Sequence, residues 1–182
     1  MNQLQFGGIE YLAAWLAKGG IDVAGWGKGE AKQLLDLWRE YTSGESCFTD
    51  NPAARQIDVA QVVIRRGDRV LLELAQEFAD GRRRSRLMLP SEKLKGGESP
   101  RAAAWRCLDE ELGLREGGVA LGETSQVSEE VGDSPSYPGL PTRYVFHVFE
   151  ATADSLPDDD FYRDNAAPND PIRRHLWGWR RE

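Results

Sequence analysis

The sequence predicts an α+β fold, a mixed-sheet sandwich preceded by an N-terminal helical hairpin. Three observations carry this. Apolar residues recur at helical spacing from Ile9 to Trp38; Val- and Ile-rich runs bounded by turn residues follow from Ile57; and one well-capped helix beginning at Ser99 interrupts the strands, which then resume.

Each element has a local cause. Ile9, Leu12, Ala13 and Leu16 lie on one helical face, and Gly19-Gly20 stop the first helix. Ala31, Leu34, Leu35 and Trp38 signal a second helix ending near Ser43-Gly44. Residues 1–50 thus read as a helical appendage and residues 51–182 as the main domain. The hairpin is expected to cap the core, with a homodimer or partner contact as the alternative. Ile57 to Arg65 and Arg69 to Phe78 form a β-hairpin through Arg66-Gly67-Asp68. Gly81 and Arg82 to Arg86 are expected at the tip of a second hairpin, leading to a strand at Leu87 to Leu89 and a polar loop from Ser91 to Glu98. Ser99 as N-cap and Pro100 at the first helical position open a helix that Gly113 ends. Val119 to Val131 and Arg143 to Ala151 read as strands around a loop from Gly132 to Pro141. An acidic connection, Asp154 to Pro171, leads to the aromatic segment Arg174 to Trp179.

With 182 residues, 40% hydrophobic and 29% charged, the chain suits one soluble domain. No apolar run reaches the ~20 residues that span a bilayer, and no secretory signal opens the sequence. A cytoplasmic protein without membrane partners is expected. Cys47 and Cys107 are expected as free, buried thiols. The net charge of −7 argues against extended nucleic acid as a partner, because the field repels phosphate.

The chemistry concentrates on the helix after Ser99. Ala104, Trp105, Leu108 and Leu112 share a face that must be buried, and Ala103, Cys107, Glu110 and Glu111 lie beside it. Adjacent carboxylates repel unless something positive neutralises them, and a hard divalent cation does so. Glu98 sits just ahead on the loop, and Arg106 precedes Glu110 by one helical turn.

These residues resemble the Nudix box, G-x5-E-x7-R-E-U-x-E-E-x-G-U, where U is aliphatic. From position 92 the chain supplies Glu98, Arg106, Leu108, Glu110, Glu111, Gly113 and Leu114, seven of nine fixed positions. Two positions depart: Glu92 replaces the first glycine, and Cys107 replaces the glutamate after the arginine. The resemblance implies a Nudix-like mixed β-sheet sandwich with helices on both sides. It also implies Mg²⁺ or Mn²⁺ held by Glu98, Glu110 and Glu111, with Arg106 orienting them. Water would attack phosphorus in a small nucleoside-diphosphate derivative. A thiol at position 107 is a poor ligand and base, so the base is sought at Glu92, Glu129 or Glu130. The alternative is a silent domain that binds a nucleotide or a protein.

Other candidates are weaker. Tyr137 is placed to stack on a base or ribose and Ser136 to donate to phosphate, against a plain rigid connector. Arg82, Arg83, Arg84 and Arg86 form a basic cluster, with Arg86 a candidate phosphate contact, against a solvated hairpin tip. Trp177 and Trp179 read as packing residues, and His147 and His175 as structural.

Overall fold

The computed structural model describes residues 3–50, 52–165, 167 and 170–181. Among the described residues, three helices and ten strands make an α+β chain. Helices α1 (Ile9–Lys18) and α2 (Leu34–Thr42) come first, then strands β1 (Cys47–Thr49), β2 (Ala54–Arg66), β3 (Arg69–Phe78), β4 (Arg83–Met88) and β5 (Ser91–Lys93). Helix α3 (Pro100–Leu112) precedes β6 (Ala120–Leu121), β7 (Gln126–Ser134), β8 (Tyr137–Thr152), β9 (Phe161–Asp164) and β10 (Ile172–Arg181). The ten strands form one sheet whose main path runs β6-β8-β2-β3-β10-β9. Among the described residues no helix is long and apolar enough to cross a membrane.

The chain divides into two compact units. The first comprises residues 1–59, 93–98 and 128–146; the second comprises residues 60–92, 99–127 and 147–182. In the first unit, Leu12, Trp15 and Leu16 of α1, Leu37 of α2, Phe48 of β1 and Tyr137 and Leu140 of β8 form one core with Trp26. Burying each such leucine contributes about 1.5–3 kcal/mol. The indole N–H groups stay satisfied: Trp15 donates to Asp50 at 2.7 Å and Trp26 to the Pro138 carbonyl at 3.0 Å.

A buried ionic cluster crosses this unit. Glu40 of α2 accepts from Lys32 (2.8 Å), Lys93 (3.0 Å), Arg55 (3.1 Å) and the Tyr137 hydroxyl (3.0 Å). Burial alone would raise the Glu40 carboxyl, but Lys93, Lys32 and Arg55 outweigh it and hold it down at about 2.

In the second unit β3 is central, pairing antiparallel with β2, β4 and β10. Trp177 and Trp179 of β10 are buried, as packing residues should be. Helix α3 has the expected ends. Ser99 Oγ accepts from the Ala102 N–H, and Gly113 closes the helix in the left-handed region at φ 65°. The Arg163 guanidinium of β9 donates to the Leu112 carbonyl, putting positive charge at the helix C-terminus.

Several expectations give way to the sheet. Arg83, Arg84 and Arg86 lie along β4 rather than at a hairpin tip, and only Arg82 falls in the turn, which runs from Ala79 to Arg82. Leu87 takes φ 57°, next to a register shift between β3 and β4. Part of the polar loop pairs as β5, because Ser91 to Lys93 align with β2. The strand expected from Val119 breaks into β6 and β7. The Gly132 to Pro141 loop is mostly strand: β7 runs to Ser134, β8 starts at Tyr137, and only Pro135-Ser136 turn. Gly139 at φ 80° absorbs the kink, so that Tyr137, Leu140 and Thr142 all face inward. The acidic connection contains β9; its Ala166, Pro168 and Asn169 lie outside the described residues. Trp105 is only half-buried, and so is Cys47, whereas Cys107 is fully buried. Both thiols are free.

Candidate active site

Helix α3 buries Ala103, Ala104, Cys107, Leu108 and Leu112, so the helical period forces Arg106, Glu110 and Glu111 toward its open side. Glu110 is exposed and Glu111 half-buried. Arg106 Nη1 lies 3.2 Å from Glu92 Oε1 and 3.6 Å from Glu110 Oε2, bridging β5 to the helix. In the second unit Glu92, Glu110 and Glu111 line one cleft of about 560 Å³, together with Gln76, Asp170 and His175.

Two members of this site carry no local sequence signal. Glu73 of β3 is buried, and its Oε1 lies 2.6 Å from His175 Nδ1 of β10. The same imidazole nitrogen lies 3.8 Å from Glu111 Oε2. Glu73 Oε2 also accepts from Arg86 at 3.2 Å. A spacing of 102 residues separates Glu73 from His175. Only the antiparallel pairing of β3 and β10 brings them together.

The electrostatics follow from burial and crowding. Burial pushes the Glu111 carboxyl up to about 7; His175 pulls against this, while Glu73, Glu92 and Glu110 add to it. Burial pulls His175 down, but its bond to Glu73 and the charge of Glu111 prevail and raise it. Glu73 goes the other way: burial would raise it, and the bonds from His175 and Gln76 hold it low. Cys107 is driven well above the ordinary thiol range by burial and by Glu111, Glu92 and Glu110. It stays a neutral thiol at physiological pH.

The remaining candidates disperse. Glu98 belongs to the first unit, where its Oε2 accepts from the Lys95 N–H at 3.0 Å. Glu129 and Glu130 lie exposed on β7, Glu129 paired with Arg143 at 2.6 Å. Ser136 sits in the β7–β8 turn, with its carbonyl accepting from the Lys32 N–H at 2.8 Å. Tyr137 is 0% exposed, beneath the Arg55 guanidinium, and offers no face to a base or ribose. The alternation of β8 turns that ring inward, which a loop reading could not foresee. Arg82 pairs with Asp80, Arg84 with the cleft-lining Gln76, and Arg86 with Glu73.

A model of the NUDIX domain matches residues 54–169. The chain belongs to the Nudix family. No curated protein matches it. Among solved structures, a NUDIX hydrolase from Nitrosomonas europaea is 22% identical, covering 68% of this chain and 72% of that one with a TM-score of 0.43. An Ap4A hydrolase from C. elegans is 16% identical, covering 69% and 80% with a TM-score of 0.39. An ADP compounds hydrolase is 18% identical, covering 73% and 67% with a TM-score of 0.33.

Whether this Nudix site suits a hard cation is a question of donor chemistry. Among the described residues no group of three or more acidic, histidine or cysteine side chains stands ready as a ligand set. Glu73 is engaged by His175 and Arg86, and Glu92 by Arg106. The donors nevertheless fit in kind. Carboxylates crowded enough to hold Glu111 at about 7 are relieved by a divalent cation, which prefers such oxygens.

Proposed function

We propose that this Nudix chain is a pyrophosphohydrolase that cleaves a nucleoside-diphosphate derivative by attack of water on phosphorus. The observation that carries the reading is the convergence of Glu92, Glu110 and Glu111 on one cleft of the second unit. Within that cleft, Glu110 and Glu111 would hold Mg²⁺ or Mn²⁺. When bound, such an ion supplies charge neutralisation to the diphosphate and to the departing phosphate.

The chain's own residues divide the remaining work. Arg106 fixes Glu92 and Glu110 in one orientation through paired contacts to both. Glu73 orients His175 against Glu111 and anchors Arg86, whose guanidinium supplies the positive charge a phosphate needs. With Cys107 neutral, the proton of the attacking water must go elsewhere. Glu92 is favoured over Glu129 and Glu130, because it lines the same cleft as Glu110 and Glu111.

A silent, ligand-binding Nudix domain is the second reading, and the buried Cys107 in place of a carboxylate favours it. A panel of nucleoside-diphosphate derivatives, assayed with and without Mg²⁺, separates the two. The hydrolase reading expects saturable Mg²⁺-dependent release, reduced at least a hundredfold by Glu111→Gln and strongly by Glu92→Ala. Unchanged turnover in Glu111→Gln refutes the ligand assignment. Binding without turnover across the panel establishes the silent domain.

A further inference from the structure

The chain departs from the box at Glu92 and Cys107, and within the second unit the fold sets both beside the same two helix carboxylates. At position 107 the helix has none to offer. Cys107 is 0% exposed and shares the buried side of α3 with Ala103, Ala104 and Leu108. It precedes Glu110 and Glu111 by one helical turn, so its side chain adjoins theirs. A neutral thiol there gives no oxygen to a hard cation.

At position 92 the change runs the other way, because a carboxylate stands where the box has no side chain. Strand β5 carries it into the cleft of Glu110 and Glu111. The approach to that position is fastened. The Val62 N–H donates to the Pro90 carbonyl at 2.9 Å, and Ser91 Oγ donates to the Leu89 carbonyl at 2.8 Å while accepting from Gln61 Nε2 at 3.3 Å.

Glu92 is built into the site to the same degree as the helix acids. Its side chain is 25% exposed, as is that of Glu111. One Arg106 nitrogen lies within 3.6 Å of carboxylate oxygens of both Glu92 and Glu110, so the two acids already share a positive charge. Glu92 also helps to raise both the Glu111 carboxyl and the Cys107 thiol, as a charge close to both positions must.

We propose that the two departures compensate one another: Glu92, from β5, gives the divalent cation the carboxylate oxygen that α3 lacks at Cys107, alongside Glu110 and Glu111. The cation itself rests on the hydrolase reading. A carboxylate has two oxygens, so Glu92 can hold the ion through one and keep the other for the proton of the attacking water.

The test titrates free Mn²⁺ by electron paramagnetic resonance against the metal-stripped full chain, with near-UV circular dichroism checking the fold of each variant. Glu92→Gln keeps a partner for Arg106 and removes the charge; it is expected to weaken Mn²⁺ binding by about tenfold or more. The same factor should persist in an Arg106→Met background, because a ligand acts on the ion directly. Glu92→Gly should lose as much, and Glu92→Gly combined with Cys107→Glu should regain most of the loss. Parent-like affinity in Glu92→Gln overturns the proposal. So does a loss that vanishes in the Arg106→Met background, which would make Glu92 only an anchor for Arg106. A folded double variant that regains nothing overturns the compensation; if that variant does not fold, the Glu92→Gln and Arg106→Met cycle still decides. Affinity lost in Glu111→Gln but kept in Glu92→Gln overturns this inference and leaves the hydrolase reading standing. No Mn²⁺ binding by the parent overturns both.

Discussion

Replacing Glu40 by glutamine tests whether the ionic cluster of the first unit holds that unit together. Glu40 is 6% exposed, and its carboxylate answers three cations, one of them the almost fully buried Arg55. Its fall from 4.5 to about 2 corresponds, at about 1.4 kcal/mol per pH unit, to roughly 3 kcal/mol of stability near neutrality. Burial also pushes the Lys93 ammonium down, which offsets part of this gain. The substitution, however, strands Arg55 beside a neutral amide, and removing one partner of a buried pair costs about 3–5 kcal/mol. A net loss of about 3 kcal/mol is therefore expected for Glu40→Gln. In a chain of 182 residues that is a fall in Tm of about 6–12 °C. The sign with pH is fixed. A carboxyl depressed in the folded state contributes fully above its unfolded value of 4.5, and the contribution fades as pH falls toward 2. Urea denaturation at pH 7 and at pH 3 measures both values. A loss below 1 kcal/mol at pH 7, or a difference that grows as pH falls, refutes the reasoning.

The other predictions concern the second unit. Glu111 is raised in the folded state, so the stability tied to its proton is complete below pH 4.5 and lost as pH rises through about 7. In metal-free buffer at pH 8, Glu111→Gln should therefore melt above the parent protein, and added Mg²⁺ should raise the Tm of the parent more than that of the variant. Equal Mg²⁺ shifts in differential scanning calorimetry would remove Glu111 from the ligand set. Leu87 holds φ 57° with its side chain 65% exposed, so it carries backbone strain with little burial in return. A non-glycine residue there costs about 1–2 kcal/mol, against about 0.5–1 kcal/mol of glycine's extra unfolded entropy. Leu87→Gly should thus stabilise by about 0.5–1 kcal/mol in chemical denaturation, and a loss would show that Leu87 packs against something.

What could be read from sequence was what is encoded locally. Ser99, Pro100 and Gly113 bound α3 through backbone conformation and hydrogen bonds within one turn. The box residues therefore announced both the helix and the family. Gly20 and Gly44, left-handed at φ 73° and 77°, likewise follow the ends of α1 and α2. Turn-forming residues do not by themselves mark a loop, because a sheet can absorb them. Pro135-Ser136 is a tight turn, and the glycines on either side of it, Gly132 and Gly139, are accommodated inside strands.

The sequence by itself determined the α3 helix, its carboxylates and the family they belong to, because those features depend on residues within a turn or two of one another. Tertiary structure alone decided that Glu73 and His175 meet beside Glu111, that Arg86 reaches Glu73, and that Tyr137 faces inward. Each of these rests on strand pairing and on the face a side chain takes in a sheet. A shift of one residue in register reverses that face, and no local pattern in the sequence records it.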